Sequence, residues 1–406
     1  MNSNTYKDLR HKVFEKLEAN TVSFLFSGLS VRKSADASYP FFANRNFTYL
    51  TGIEEEAAIL VLDKRNDSTI LFIRDIDELK EKWMGYYIRP QQATELSGIE
   101  DVRYFSEFDA YMEQLVESDV LIGVDIDHDT EHEDIIASGL EFASNFDDSR
   151  IVDIQSVLTQ CRMVKHEDEV LAIENALEVT NEAILAALSE MKPGNNENDI
   201  AARFQYEGMK RGGSLMFDTI IASGANAVVL HYVENDQPLV DGEMVLFDLG
   251  ISVNRYGGDI SRTFPVNGKF TEQQRAVYQE VLDCFHAVNQ AIRPGVTLID
   301  LNELAKEKLA NSCKKLGLIE STDDVSNYYY HSIGHSLGLD THDAWSSREA
   351  KLEVGNVITN EPGLYIKEWG IGVRIETDVL VTQDGMRDLA PYIIREVDEI
   401  EAFLNQ

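Results

Sequence analysis

The sequence predicts two domains of different class, an α/β domain over residues 1–160 and an α+β domain over residues 161–406 built from two similar halves. Three observations predict it. Short apolar runs alternate with polar helical segments through the first domain. In the second, a long helix, another helix and a group of glycine-bounded strands follow one another twice. Carboxylates stand on the otherwise apolar strands of both halves, where a charge must be paired, hydrogen-bonded or bound to a metal to offset its lost hydration.

The 406 residues exceed the roughly 250–300 at which a single core stops growing. An apolar fraction of 44% and a charged fraction of 26% are those of an ordinary water-soluble protein. With 71 acidic and 36 basic residues the formal net charge is −35. That field repels phosphate backbones and anionic membranes, so neither nucleic acid nor membrane is an expected partner. Cys161, Cys284 and Cys313 lack the close spacing of a zinc knuckle or redox pair and read as free thiols in a reducing compartment. Met1 to Asn20 is charged and helix-like, without the apolar core of a signal peptide, and no window reaches about 18 uninterrupted apolar residues. A cytoplasmic protein is expected.

In the first domain a helix around Tyr6–Leu17 leads to a β-rich run at Val22–Ser27 and a loop holding Lys33, Ser34 and Pro40. Strands are expected at Phe47–Leu50, Ala57–Leu62 and Thr69–Ile73, separated by Gly52 and the polar turn at Lys64–Ser68. Helices near Asp75–Trp83 and Ser106–Val116 alternate with a strand at Val120–Val124. Trp83 lies in the polar segment Glu81–Arg89, and its local setting alone reads as a core or rim aromatic.

The boundary falls near Asp153–Arg162. From Glu167 to Met191 a long helix carries Ile173, Leu177, Ile184 and Leu188 along one face and stops at Lys192-Pro193-Gly194. A second helix is capped near Asn198 and ends at Gly212-Gly213. The order then recurs. Thr271-Glu-Gln-Gln274 is a capping box opening a helix that stops at Arg293-Pro294-Gly295, and another helix runs from about Asp300 to Lys315. Strands are expected at Asp218–Ser223 and Met244–Phe264 in the first half, and at Val357–Ile366 and Gly372–Val381 in the second.

Chemistry concentrates on these strands. Asp248 ends Val245-Leu-Phe, and Asp259 lies across a turn containing Asn254, Gly257 and Gly258, on what reads as the facing strand of one hairpin. The second half supplies Glu361, after Val357-Ile-Thr-Asn, and Glu376, two residues beyond Arg374. Histidines join them: His331, His335 and His342 fall in one glycine-punctuated segment, and His231 follows Ala227-Val-Val-Leu230. One or two imidazoles among four carboxylates make a hard, oxygen-rich donor set without thiolates, suited to Mn²⁺ and, by supply, to Co²⁺ or Zn²⁺. Four carboxylates leave excess negative charge around one ion, and two ions sharing bridging carboxylates balance it.

The series Asp248, Asp259, His335, Glu361 and Glu376, in the settings Phe-Asp-Leu-Gly, Gly-Asp-Ile-Ser-Arg-Thr-Phe, Gly-His-Ser-Leu-Gly, Asn-Glu-Pro-Gly-Leu-Tyr and Val-Arg-Ile-Glu-Thr-Asp, closely resembles the dinuclear metallopeptidases of the pita-bread fold. Among them it is most similar to the Xaa-Pro aminopeptidases, or aminopeptidases P. Tyr49-Leu-Thr-Gly52 and the Trp83–Arg89 segment resemble that family's N-terminal domain, so the likeness spans nearly the whole chain. The resemblance implies that Asp248 holds one metal, His335 and Glu361 the other, and that Asp259 and Glu376 bridge them. It implies a bridging water or hydroxide as nucleophile, with Glu361 as proton shuttle. By the same resemblance His231 and His342 contact the scissile peptide and its oxyanion. His331 and Arg374 line the proline side, with support of the metals an equal alternative for Arg374. Tyr232, beside His231, is placed with the substrate-binding residues. Trp83 would reach the active site of a neighbouring subunit, making a homo-oligomer, dimer or tetramer, part of the pocket.

The implied activity is hydrolysis of the bond between an N-terminal residue and proline in peptides with proline second. A prolidase restricted to Xaa-Pro dipeptides shares these ligands, and methionine aminopeptidase shares them without an N-terminal domain of this kind. A non-catalytic pita-bread binding module or a metal-free creatinase-type hydrolase is disfavoured because all five ligand positions are kept.

Overall fold

Strands rich in Val, Ile, Leu and Phe assemble one six-stranded sheet in the N-terminal part of the computed structural model, which describes residues 1–116, 119–126 and 137–406. The chain divides into two units, Met1–Arg162 and Met163–Gln406. In the first, β1 (Thr21–Phe26), β2 (Ile59–Asp63), β3 (Ser68–Ile73), β4 (Asp101–Tyr104), β5 (Leu121–Val124) and β6 (Ile151–Asp153) lie in the order β4-β3-β2-β1-β5-β6. Phe24 sits opposite Val61 across the antiparallel β1–β2 ladder and opposite Val124 across the parallel β1–β5 ladder. Alternate residues of these strands, Val22 and Phe24, Ile59 and Val61, Ile70 and Phe72, share one buried face, as a period of two requires. Phe108 packs edge-on against both Phe24 and Phe72.

One expected strand of this unit is a helix. Phe47–Leu50 belongs to the helix Arg45–Thr51, because Asn44 accepts hydrogen bonds from the Asn46 and Phe47 amides while Gly52, at φ 67°, closes the other end. Caps at both ends outweigh the β-propensity of Phe, Thr and Tyr. Trp83 lies on the short helix Glu78–Met84 and is 83% exposed, so in this chain it is not a core residue.

The second unit holds the repeat. Its first half opens with α1 (Glu167–Leu188) and α2 (Glu197–Lys210), its second with α3 (Glu272–Ala291) and α4 (Leu298–Lys315). Helix α3 starts on the expected capping box, Thr271 and Gln274 bonding each other's backbone amides. The cap of α2, expected near Asn198, is Asn196, whose Oδ1 accepts the Asn198 amide at 2.9 Å. Helix α4 likewise begins before Asp300, whose carboxylate is the return half of a box capped by Thr297. Strands β7 (Ile220–Ser223), β8 (Met244–Leu249) and β9 (Ile260–Pro265) form an antiparallel sheet in that order. In the second half β10 (Val357–Asn360), β11 (Gly363–Ile366), β12 (Ile371–Arg374), β13 (Thr377–Thr382) and β14 (Gly385–Asp388) make the sheets β10-β13-β14 and β11-β12. Between β8 and β9 the chain makes its own small hairpin, turning at Asn254 and Arg255 with φ of 51° and 77°, the conformation of a two-residue type I′ connection. No helix among the described residues is long and apolar enough to cross a membrane.

Candidate metal centre

Three of the four strand-borne carboxylates stand one residue beyond the end of a β-ladder. The β8–β9 ladder ends with Leu249 opposite Ile260, and Asp259 is the next residue. The β10–β13 ladder ends with Asn360 opposite Thr377, which leaves Glu361 and Glu376 as the next residues on its two sides. At a ladder's end the backbone escapes strict alternation of faces, and Pro362 after Glu361 cannot donate to a ladder at all. Asp248 is the exception, sitting within β8 opposite Ser261. The two halves meet where these residues cluster, since the Glu376 amide donates to Ser261 O at 3.0 Å.

His335 arrives on an irregular segment laid against β10, its carbonyl accepting from the Thr359 amide at 2.8 Å. A Cβ on the preceding Gly334 would fall 2.2 Å from Thr359 O, so only glycine allows the approach. Nδ1 of His335 faces Ser336 O at 3.1 Å. A proton on Nδ1 donates there and leaves the Nε2 lone pair free, 3.6 Å from Asp259 Oδ2 and 3.5 Å from Glu361 Oε1. Ligand atoms of Asp259, His335 and Glu376 lie within 4.8 Å of one another. Glu376 Oε2 accepts from Ser261 Oγ at 2.7 Å, whereas its buried Oε1 has no hydrogen-bond partner among the described residues. Acceptors converging on acceptors in a buried space fit a cation, and oxygen donors with one imidazole fit a hard or borderline divalent one.

The electrostatics agree. Burial, then the neighbouring Glu376 and Asp248, pushes the Asp259 carboxyl well above its usual range. Burial and Glu376 do the same to Glu361, and burial and Asp248 push Glu376 up to about 7. His335 is driven down to about 4 by burial and by His342, which keeps it neutral and able to bind a metal.

These five residues line a cavity of about 820 Å³, together with His231, His331, His342 and Arg374. The rings of His335 and His342 stand 4.2 Å apart, centroid to centroid. Arg374 donates to Tyr365 OH at 2.9 Å, and that hydroxyl lies 2.8 Å from His331 Nε2, so buried Tyr365 links two residues of the cavity wall. The remaining guanidinium nitrogens of Arg374 reach Ser261 Oγ at 2.7 Å and Asp248 Oδ2 at 2.5 Å. Tyr232 has a different place from that expected: it is absent from the cavity lining, and its buried hydroxyl donates to Glu197 Oε2 at 2.7 Å. Trp83 belongs to the other unit.

Several participants escape a sequence reading. Ser261 becomes visible only once the register sets it opposite Asp248, and Tyr365 only once its hydroxyl meets the Arg374 guanidinium. Arg262 is wholly buried and gathers the carbonyls of Ser261, Glu376, Ile393 and Ile394. Asp378 accepts the Asp259 amide at 3.0 Å and so fixes that carboxylate's backbone.

The sequence model of metallopeptidase family M24 matches residues 172–383, and that of the aminopeptidase P N-terminal domain matches residues 6–122. The chain belongs to metallopeptidase family M24. An Xaa-Pro aminopeptidase of Haemophilus influenzae is 32% identical, over 98% of this chain and 97% of its own length. Among solved M24 structures, a Bacillus anthracis protein described as a candidate aminopeptidase P superposes with a TM-score of 0.95 at 38% identity, covering 100% of this chain and 99% of that one. Aminopeptidase P of Escherichia coli with the inhibitor Pro-Leu gives 0.89 at 31%, covering 100% and 98%. The fold of the second unit is therefore the pita-bread fold of M24, and the protein is a hydrolase of that family, which implies divalent metal at the cluster just described.

Proposed function

We propose that this M24 enzyme is an Xaa-Pro aminopeptidase, releasing the N-terminal residue from peptides with proline second. The convergence of Asp248, Asp259, His335, Glu361 and Glu376 on one cavity carries the reading. The match of the N-terminal unit to the aminopeptidase P domain favours it over a dipeptide-restricted prolidase.

Asp248 would hold one ion, His335 and Glu361 the other, with Asp259 and Glu376 shared between them; Mn²⁺ suits these donors best, with Co²⁺ or Zn²⁺ able to replace it. Two divalent ions supply a water of lowered pKa and a Lewis acid for the scissile carbonyl. The chain's own residues do the rest. Glu361 takes the proton of the attacking water and delivers it to the proline nitrogen as the C–N bond breaks. His231 and His342, on the cavity wall, hold the scissile peptide and the oxyanion. His331, kept neutral by burial and by Arg374, which together bring it down to about 3, faces the proline side. Arg374 acts on Asp248 rather than on the peptide. Proline has no amide N–H, so a site that grips carbonyl oxygens and the free amine can accept what most peptidases refuse.

Three buried free thiols suit a reducing cytoplasm, and exposed Trp83 suits a subunit contact in a homo-oligomer that completes the pocket. The deciding experiment compares Xaa-Pro-Yaa tripeptides with Xaa-Pro dipeptides in Mn²⁺. Faster tripeptide turnover is expected, and turnover of dipeptides alone would reassign the chain to prolidase.

A further inference from the structure

The segment Gly224–Gln237 carries His231 to the cavity, and beyond a short 3-10 turn at Gly224–Val228 it has no regular structure. Asn235 ties it to Thr219 O and the Ile221 amide, Asn196 to Asp236 O and Tyr330 to Val228 O, but one carboxylate fastens it at several points. Glu197, the first residue of α2, is fully buried. Its Oε1 accepts from the Ser223 amide at 2.7 Å, Ser223 Oγ at 2.6 Å and Asn226 Nδ2 at 3.2 Å. Its Oε2 accepts from Tyr232 OH at 2.7 Å and the Gln237 amide at 3.0 Å. The Glu197 amide in turn donates to Gln237 O at 3.0 Å. The beginning, middle and end of the loop are thus tied to a single side chain, and the middle tie is the residue next to His231.

All five donors to this carboxylate are neutral. A buried charge held by neutral donors loses hydration without a countercharge to offset it, and α2 does not need the acid as a cap, since Asn196 already caps it. What the acid supplies is acceptor capacity: a carboxylate has about four lone-pair sites, whereas an amide offers one oxygen and would turn two of its own N–H groups on the same donors.

We propose that Glu197 is a positioning residue for peptide hydrolysis, setting through Tyr232 where the His231 imidazole stands in the cavity. The proposal rests on the role given to His231 above. Tyr232→Phe tests it without removing the buried acid, since it deletes the 2.7 Å bond that links Glu197 to the neighbour of His231, together with the hydroxyl's longer contacts to Asp236 Oδ1 at 3.3 Å and the Asp236 amide at 3.4 Å. The measurements are kcat and KM on an Xaa-Pro-Yaa peptide, and amide hydrogen exchange over residues 224–237 with no substrate present. Tyr232→Phe is expected to lower kcat by about ten- to a hundredfold, the scale of a displaced catalytic contact, with KM within about twofold. Exchange should quicken across 224–237 and nowhere else. Added to His231→Ala, the same change should cost nothing further, because the group it positions is already gone. A wild-type kcat in Tyr232→Phe beside a slow His231→Ala overturns the proposal, as does an equal loss in both backgrounds. A wild-type kcat in His231→Ala overturns the role of His231 instead, an outcome that the single variants separate.

Discussion

Arg374 Nη2 donates to Asp248 Oδ2 across 2.5 Å, an almost buried ion pair that joins the second half of the repeat to the first. The same guanidinium serves Tyr365 and Ser261. A lysine ammonium cannot reproduce this planar fork. Arg374→Ala, which removes the charge altogether, is expected to lower unfolding stability by about 3–5 kcal/mol, the cost of leaving a buried charge without its partner. It should also weaken metal binding about 10–100-fold by freeing Asp248. Urea denaturation and metal titration measure the two, and an unchanged metal affinity would separate Arg374 from the centre.

Metal-free protein should lose stability as pH rises above neutrality. Glu376 titrates near 7 when folded against a usual 4.5, and burial holds Asp259 and Glu361 well above their ordinary values. Between the unfolded and folded pKa values the folded state binds more protons, so unfolding free energy falls as pH climbs through that interval. His331, His335 and His342 act in the opposite direction, below and around their ordinary value of 6.5. Above about pH 7.5 the histidines no longer contribute, and the carboxylates that burial holds well above their ordinary range dominate. Melting of chelator-treated protein should therefore shift down across this range, and saturating Mn²⁺ should remove the shift and release protons on binding. A flat or rising Tm without metal would contradict the crowding of charge described here.

Glu361→Ala and Asp259→Ala should each abolish turnover while leaving a folded protein. A lost proton shuttle costs about 10²–10⁴ in rate, and a lost shared ligand should do at least as much damage. Circular dichroism and metal content establish that the variants fold and report what they bind. If Glu361→Ala kept a tenth of the wild-type kcat, Glu361 could not be the proton carrier.

Trp83 stands on the surface with Met84 and Tyr86, at 83%, 77% and 89% exposure. Exposed apolar clusters of that kind are features of contact surfaces. The protein is expected to assemble, and Trp83→Ala to slow tripeptide cleavage by the assembled form. Light scattering identifies the monomer at high dilution. Equal turnover by monomer and assembly would remove Trp83 from the pocket.

The cavity-lining acids were legible because a carboxylate closing an apolar strand has few purely structural explanations, and the helices because their caps are local. What stayed hidden depends on partners far away in sequence. Nothing near Ser261 announces Arg374, which lies 113 residues on, nor does Tyr232 announce Glu197, 35 residues before it. Phe47–Leu50 misleads for the converse reason: its side chains favour a strand, and the decision rests with Asn44 and Gly52 outside the run.

Asp248 and Asp259 come from one half of the repeat, His335, Glu361 and Glu376 from the other. An ion held by this set would cross-link the two lobes of the repeat, adding to the bonds that already join them between Glu376 and Ser261 and between Arg374 and Asp248. Were the chain cut between the lobes, each fragment would carry an incomplete set of donors, and metal concentration would govern their reunion as ligand concentration governs any linked equilibrium.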